Sequence, residues 1–284
     1  MTSGIAGIDH IIVGVRDLEA ARQNWQRLGF TVTPRGRHIG QGTANYCIMF
    51  ARDYLELLGF VERDEHAHRL ETFLAEREGP MSVAFSPERD AEATRAALAV
   101  SGLHPSEPRA LGRALELPEG NVTPRFSLMN LPPEETPGLD CFICGHLTPE
   151  LVRRPEWLTH PNGVTGIKAV HLLVEEPLPL GSAYRRLFEL DAITMIDGGI
   201  AVDTGRNILS FTTPNAFHAA FPGVAIRANF PAPCIVALEL AIKSREELVT
   251  FLWSARTTFG ERSDGRIDVP AFEANGTALI FSET

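Results

Sequence analysis

The chain has 284 residues, 44% hydrophobic and 22% charged, which suits one large or two ordinary domains with a proper core and excludes a disordered protein. A formal charge of −10, with the 26 Lys and Arg scattered rather than gathered in a stripe, argues against nucleic acid as a partner. No apolar run reaches the length of a membrane span, and the start MTSGIAGIDH has neither the basic head nor the apolar core of a signal peptide, so the expectation is no membrane contact and a cytoplasmic location.

In chain order, IDHIIVGV (8–15) reads as a strand apolar on both faces. DLEAARQNWQRLG (17–29) follows as a helix with Asp17 as N-cap, an apolar stripe at Leu18, Ala21, Trp25 and Leu28, and Gly29 at its end. FTVTP, a glycine-bearing turn, TANYCIMF and YLELLGF (54–60) then read as strands. The order is strand, helix, strands.

The same order recurs three times. MSVAFSP leads into DAEATRAALAVSG and the strand-like RFSLMNL and DCFICGH; IKAVHLLV leads into LGSAYRRLFEL, AITMID, GIAVDT and NILSFTT. IVALELAI leads into SREELVTFLWSA, opened by the capping box Ser244 to Glu247, then RIDVPAF and GTALIFSE. Four units therefore begin near Gly7, Gly79, Gly166 and Cys234. The stretch LTPELVRRPEWLTHPNGVTG between units two and three reads as a linker, and 214–233 as a second irregular stretch.

The cysteines Cys47, Cys141, Cys144 and Cys234 are too few for a disulfide framework. CFIC has CxxC spacing, but no second pair completes a zinc finger, and residues three apart in a strand face opposite ways. His66 and His68 lie in ERDEHAHR, which reads as a solvated face; His104, His160 and His218 read as loop residues without evident partners. GQGTAN leads into a strand rather than a helix, so it reads as a hairpin turn and not a phosphate cradle. No GxSxG or Cys–His signature supports nucleophilic catalysis.

Glu56 is the anomaly, a carboxylate inside the strand-like YLELLGF. Burying it requires a partner, a metal or a shifted pKa. The repeat, the front DHIIVGVRDLEAA, HIGQGTANY and YLELLGF together resemble the vicinal oxygen chelate superfamily, in its glyoxalase-like branch of glyoxalase, bleomycin resistance and extradiol dioxygenase type. The resemblance implies an α+β fold of four βαβββ modules forming two curled, cup-shaped mixed sheets with helices outside. It implies a first half at 1–147, a linker at 148–165 and a second half at 166–284.

It further implies a divalent metal, Fe, Mn, Zn or Ni, held inside a cup and chelated by neighbouring oxygens of a small-molecule substrate. His10 and Glu56 match the ligand positions on the first and last strand of unit one. Unit two has Ser82 at its equivalent position, with Cys144 or His146 on its last strand, and unit three has Ser210 where Glu56 aligns. If units one and two pair, the metal candidates are His10, Glu56 and His146; if units one and four pair, they are His10, Glu56 and Glu239. Glu56 or Glu239 would shuttle the proton in an isomerase, and His38, Asn45, Tyr54 and His171 are the expected substrate contacts. The implied function is a metal-dependent lyase, isomerase or dioxygenase, with a homodimer as the expected assembly. The alternative is a metal-free binding protein for a drug or metabolite, which the 16 Phe suit, and a third reading is a scaffold that has lost its site.

Overall fold

A computed structural model describes residues 4–62, 68–224 and 232–284. The first module is β1 (Ile5–Gly14), α1 (Leu18–Arg27), β2 (Gly36–His38), β3 (Thr43–Met49) and β4 (Tyr54–Phe60). After α2 (His68–Glu76) comes the second, β5 (Gly79–Pro87), α3 (Ala91–Val100), β6 (Arg109–Leu115), β7 (Arg125–Asn130) and β8 (Cys141–His146). The third is β9 (Val164–Leu173), α4 (Gly181–Leu187), β10 (Ile193–Ile196), β11 (Gly199–Asp203) and β12 (Ile208–Thr212). After α5 (Pro214–Ala220) the fourth is β13 (Cys234–Ile242), α6 (Arg245–Ser254), β14 (Gly260–Glu261), β15 (Ile267–Val269) and β16 (Ala278–Glu283).

Modules one and two share one sheet, in which β1 pairs with β4 in parallel and with β5 antiparallel, and the order β1-β4-β3-β2-β6-β7-β8-β5 closes into a barrel. Modules three and four form a second eight-stranded sheet in the order β10-β11-β12-β9-β13-β16-β15-β14, with β9 and β13 antiparallel at its centre. The helices lie outside. Pairing of unit one with unit four, one of the two arrangements open to the sequence, does not occur, because β1 spends its two hydrogen-bonding edges on β4 and β5.

Period-two alternation decides which face of each strand looks inward. Ile11, Val13, Leu55 and Leu57 are fully buried on the outer face of the barrel, where the α1 stripe of Leu18, Ala21 and Trp25 covers them. Asp17 caps α1 by accepting the Ala20 N–H at 2.9 Å, and Ser244 caps α6 by accepting that of Glu247 at 3.2 Å. Each such cap is worth about 1 kcal/mol.

Local departures from the expected elements have local causes. FTVTP forms no strand, and β2 begins instead at Gly36. α2 starts at His68 and Arg69, the end of the segment that reads as a solvated face, and Leu70 and Leu74 beyond it give the helix a buried side; His66 lies outside the described residues. β6 was hidden because Arg109 and Arg113 interrupt its apolar pattern. In CFIC, Cys141 joins the outer core and Cys144 the barrel interior, and all four cysteines are free and buried. Among the described residues no helix is long and apolar enough to cross a membrane.

The two sheets share a continuous core running from Ile5 to Phe281. A polar bolt crosses between them: the Asn207 Oδ1 accepts the Ile8 N–H at 3.1 Å, and its Nδ2 donates to the Ile167 carbonyl at 2.7 Å and to Asp53 Oδ2 at 3.2 Å. Asp53 Oδ1 accepts the Ile167 N–H at 3.0 Å. The stretch 148–165 is packed down, with Trp157 buried. His160 takes the Thr31 N–H on Nδ1 and donates from Nε2 to the Met49 carbonyl, both at 3.0 Å.

Burial pushes the Asp53 carboxyl up from 3.8 to about 6, against the opposing hydrogen bonds of Ile167 and Asn207. Between those values the folded protein binds the proton and the unfolded chain does not, so this group's contribution to stability falls as pH rises through the window. The fall amounts to about 3 kcal/mol at ~1.4 kcal/mol per tenfold in proton affinity. Unfolding by denaturant at about pH 4 and about pH 6.5 should show this decline in wild type and its loss in Asp53→Asn. Equal slopes in the two proteins would contradict it.

Candidate functional site

The parallel register of β1 with β4 sets His10 opposite Tyr54 and Ile12 opposite Glu56, so inward side chains from the two strands meet inside the barrel. The His10 ring stacks on Tyr54 at 4.4 Å and 22° and meets Phe142 edge-on at 5.6 Å. Its Nε2 lies 3.3 Å from Glu56 Oε2. On the neighbouring hairpin, the Asn45 Nδ2 donates to Glu56 Oε1 at 2.6 Å, and His38 Nε2 sits 3.6 Å from the same oxygen. The glycine turn between His38 and Thr43 brings His38 Nδ1 to 2.9 Å from Thr43 Oγ1. Thus His10, His38, Asn45, Tyr54 and Glu56 share one site.

Both imidazoles are held from behind. The His10 Nδ1 donates to Asp9 Oδ2 at 2.8 Å, and His38 Nδ1 is engaged by Thr43, which leaves each Nε2 on the Glu56 side. Burial raises the Glu56 pKa, but His10, His38, Arg113 and the Asn45 amide outweigh it and hold the carboxyl below its ordinary value. Burial, partly offset by Glu56, lowers the His38 pKa, which favours a neutral ring. Two imidazole nitrogens beside one carboxylate, each anchored by a second partner, are donors of the kind a divalent transition metal takes.

His146 stands behind His10 rather than beside Glu56. Its Nε2 donates to Asp9 Oδ2 at 3.0 Å, while Arg153 approaches Asp9 Oδ1 at 3.4 Å. Burial alone would raise the Asp9 carboxyl; His146 and His10 outweigh it and hold it well below the usual range. Among the described residues, Asp9, Cys144 and His146 form a group with possible ligand atoms within 4.8 Å of one another. Burial keeps the Cys144 thiol protonated and Asp9 already accepts from three side chains, so this group acts as a brace for His10.

The cavity at this end of the barrel has a volume of about 210 Å³. Module two supplies it with Phe126, Leu128, Phe142, the Cys144 thiol and two cations, Arg109 and Arg113. Ala84 is the β5 partner of His10, and Ser82 that of Ile12. Arg113 is 4% exposed and donates to Cys47 Sγ at 3.0 Å. Burial pushes the Cys47 thiol up to about 11 despite that guanidinium.

Glu239 and His171 lie in the second sheet, apart from this cavity. Glu239 Oε2 is 3.5 Å from His171 Nε2, and its Oε1 accepts from Ser282 Oγ at 2.7 Å. Burial raises the Glu239 carboxyl, yet His171, Ser282 and Lys168 bring it down to about 2. Phe217 and Phe221 close over the His171 ring at 5.8 and 4.8 Å. The set His10, Glu56 and Glu239 is therefore not assembled in one cup. Sequence reasoning missed Asp9 as the His10 anchor and Arg113 as a cation of the cup; a charged residue inside an otherwise apolar strand was the available signal for the latter.

Residues 8–188 match the family model described as a glyoxalase-like domain. No curated protein matches the chain. Among solved structures, a hypothetical protein from Staphylococcus aureus superposes with a TM-score of 0.67 at 12% identity, covering 98% of this chain and 99% of that one. A triple mutant of 4-hydroxymandelate synthase from Streptomyces coelicolor gives 0.58 at 11% identity, with 100% and 92% covered. A fusion protein of a xylose isomerase-like TIM barrel with 4-hydroxyphenylpyruvate dioxygenase gives 0.57 at 11%, with 100% of this chain and 49% of that one covered. At these identities the likeness is one of fold.

Proposed function

Because the chain belongs to the glyoxalase-like domain family, within the vicinal oxygen chelate superfamily, we propose that it is a metal-dependent enzyme acting on a small substrate through neighbouring oxygens, with the closed barrel as its active site. The observation that carries this reading is the convergence of His10 Nε2 and His38 Nε2 on the buried Glu56 carboxylate, at 3.3 and 3.6 Å. These three residues would hold the ion. Bound there, a divalent metal supplies Lewis acidity toward two adjacent substrate oxygens.

The chain's own groups do the rest. Asp9 fixes the His10 tautomer through Nδ1, and Thr43 engages the corresponding atom of His38. Asn45 orients the Glu56 carboxylate by donating to Oε1. Phe126, Phe142 and Leu128 line the opposite wall, where they exclude water and strengthen every electrostatic contact in the cavity.

A second reading, a metal-free binding protein for a small molecule, is favoured by one observation: module two has Ser82, a poor ligand, at the position that aligns with His10, and its His146 is engaged by Asp9. Elemental analysis of protein purified without added metal decides between them. The enzyme reading expects about one divalent ion per chain, lost on chelation. Metal-free protein that still binds small ligands, and that gains neither metal nor activity from added Fe, Mn, Zn or Ni, would overturn it.

A further inference from the structure

Arg113 is a buried cation with no close ion pair among the described residues; the carboxylate that shares its cavity, Glu56, acts on it from a longer range. The polar contacts of Arg113 among the described residues are the Cys47 thiol and, 5.4 Å from its guanidinium carbon, the face of Phe126; its Nε has no partner. The thiol is protonated and returns no full charge. Glu56, which shares the cavity, is engaged by His10, His38 and Asn45.

Glu56 offsets that charge only from a distance and is itself engaged by other groups, so the guanidinium keeps hydrogen-bonding capacity for a further anion. Space is reserved for Arg113 as well. A Cβ at Gly36 would lie 2.5 Å from Arg113 Cδ and 2.4 Å from Asn45 Oδ1, so only glycine on β2 lets both side chains occupy the cup. Arg109 adds a second cation to the same cavity, while Arg69, also in its lining, is paired with Asp140. Ile12, Leu58, Leu111 and Leu128 give the same cavity an apolar stretch of wall.

We propose that the cavity takes a small carboxylate with a compact apolar body, its carboxylate paired with Arg113 and its body against the apolar wall. A guanidinium fork matches a carboxylate in two parallel hydrogen bonds, which a neutral amide of the same shape cannot reproduce. This rests on the cup being the active site, but not on metal being present in it.

The test titrates phenylacetate and its neutral isostere phenylacetamide into the chelator-treated full chain by calorimetry. Phenylacetate should bind at least about tenfold tighter than phenylacetamide, and Arg113→Met should erase that difference. Equal affinities, no phenylacetate binding to wild type, or an unchanged preference in Arg113→Met would overturn the proposal. If the variant does not fold, the two wild-type titrations decide alone. Metal content, measured before chelation, reports separately: a metal-free protein that prefers phenylacetate sinks the metal reading and leaves the carboxylate site standing.

Discussion

Glu56→Gln is expected to weaken divalent-metal binding by more than about 100-fold, beyond the 10–100-fold typical of losing an outer partner, and to abolish turnover. Stability should stay within about 1 kcal/mol of wild type. Glutamine keeps the shape and one oxygen to accept the Asn45 amide, now 2.6 Å from Glu56 Oε1. Its new N–H group takes the place of Oε2 and donates to His10 Nε2, while His38 Nε2 stays beside the retained oxygen and within 3.4 Å of the Asn45 amide. Metal is lost because a neutral amide is a poor ligand for a hard or borderline cation. His10→Ala should lose metal too, but it leaves Asp9 short of a donor and costs about 1–3 kcal/mol of stability. Elemental analysis and denaturant unfolding of both variants check this; an unchanged metal content in Glu56→Gln removes the residue from the ligand set, and a neutral or stabilising effect without any metal in the wild type favours the binding-protein reading.

Much of this site was written in short-range pattern. Alternation along β4 turns Glu56 inward with Tyr54 and Leu58, whereas β1 is bulged between Ile8 and His10, and Asp9 there reaches the ring of its neighbour His10. The hairpin from His38 to Asn45 was legible as a turn, and its consequence, two polar side chains carried to Glu56, follows from closure of the barrel. What alternation does not encode is partnership across distant strands. Asp9 looks like an ordinary acid before a histidine; only the fold brings His146, 137 residues away, onto it. His160 looked like an isolated loop residue, yet it joins Thr31 to Met49 because the segment carrying it lies along the barrel.

The same limit explains β6. A strand whose inward positions are Arg109, Leu111 and Arg113 has no apolar face to announce it, and its identity comes from pairing with β2 and β7. The two arginines that interrupt the apolar pattern of β6 are the same side chains that line the cavity. Glu239 shows the converse case. Its setting in VALELAI resembles that of Glu56, but Ser282 and His171 satisfy it within the second sheet, so a buried carboxylate in a strand marks a partner rather than a particular chemistry.

Trp25→Ala should destabilise the protein by about 3–5 kcal/mol, the usual cost of deleting a fully buried aromatic side chain. Trp25 is 0% exposed and packs against Phe30 at 5.2 Å, at the centre of the α1 stripe that covers the outer face of β1 and β4. Its Nε1 has no hydrogen-bond partner among the described residues, so its contribution is packing, and its removal orphans no other polar group. The cavity left behind is bounded by strands whose opposite faces carry His10 and Glu56 and whose register is pinned by β3 and β5, so the surroundings have little room to collapse. Trp25→Phe, which refills most of that volume, should cost less than about 2 kcal/mol. Metal content should survive in both variants below their melting temperatures, because the indole and the ligand set occupy opposite faces of the same two strands. Unfolding by denaturant gives the first quantity and elemental analysis the second: a loss below about 1 kcal/mol in Trp25→Ala would undo the packing of α1 on the barrel, and loss of metal at full folding would mean that the outer face of these strands positions the inner one.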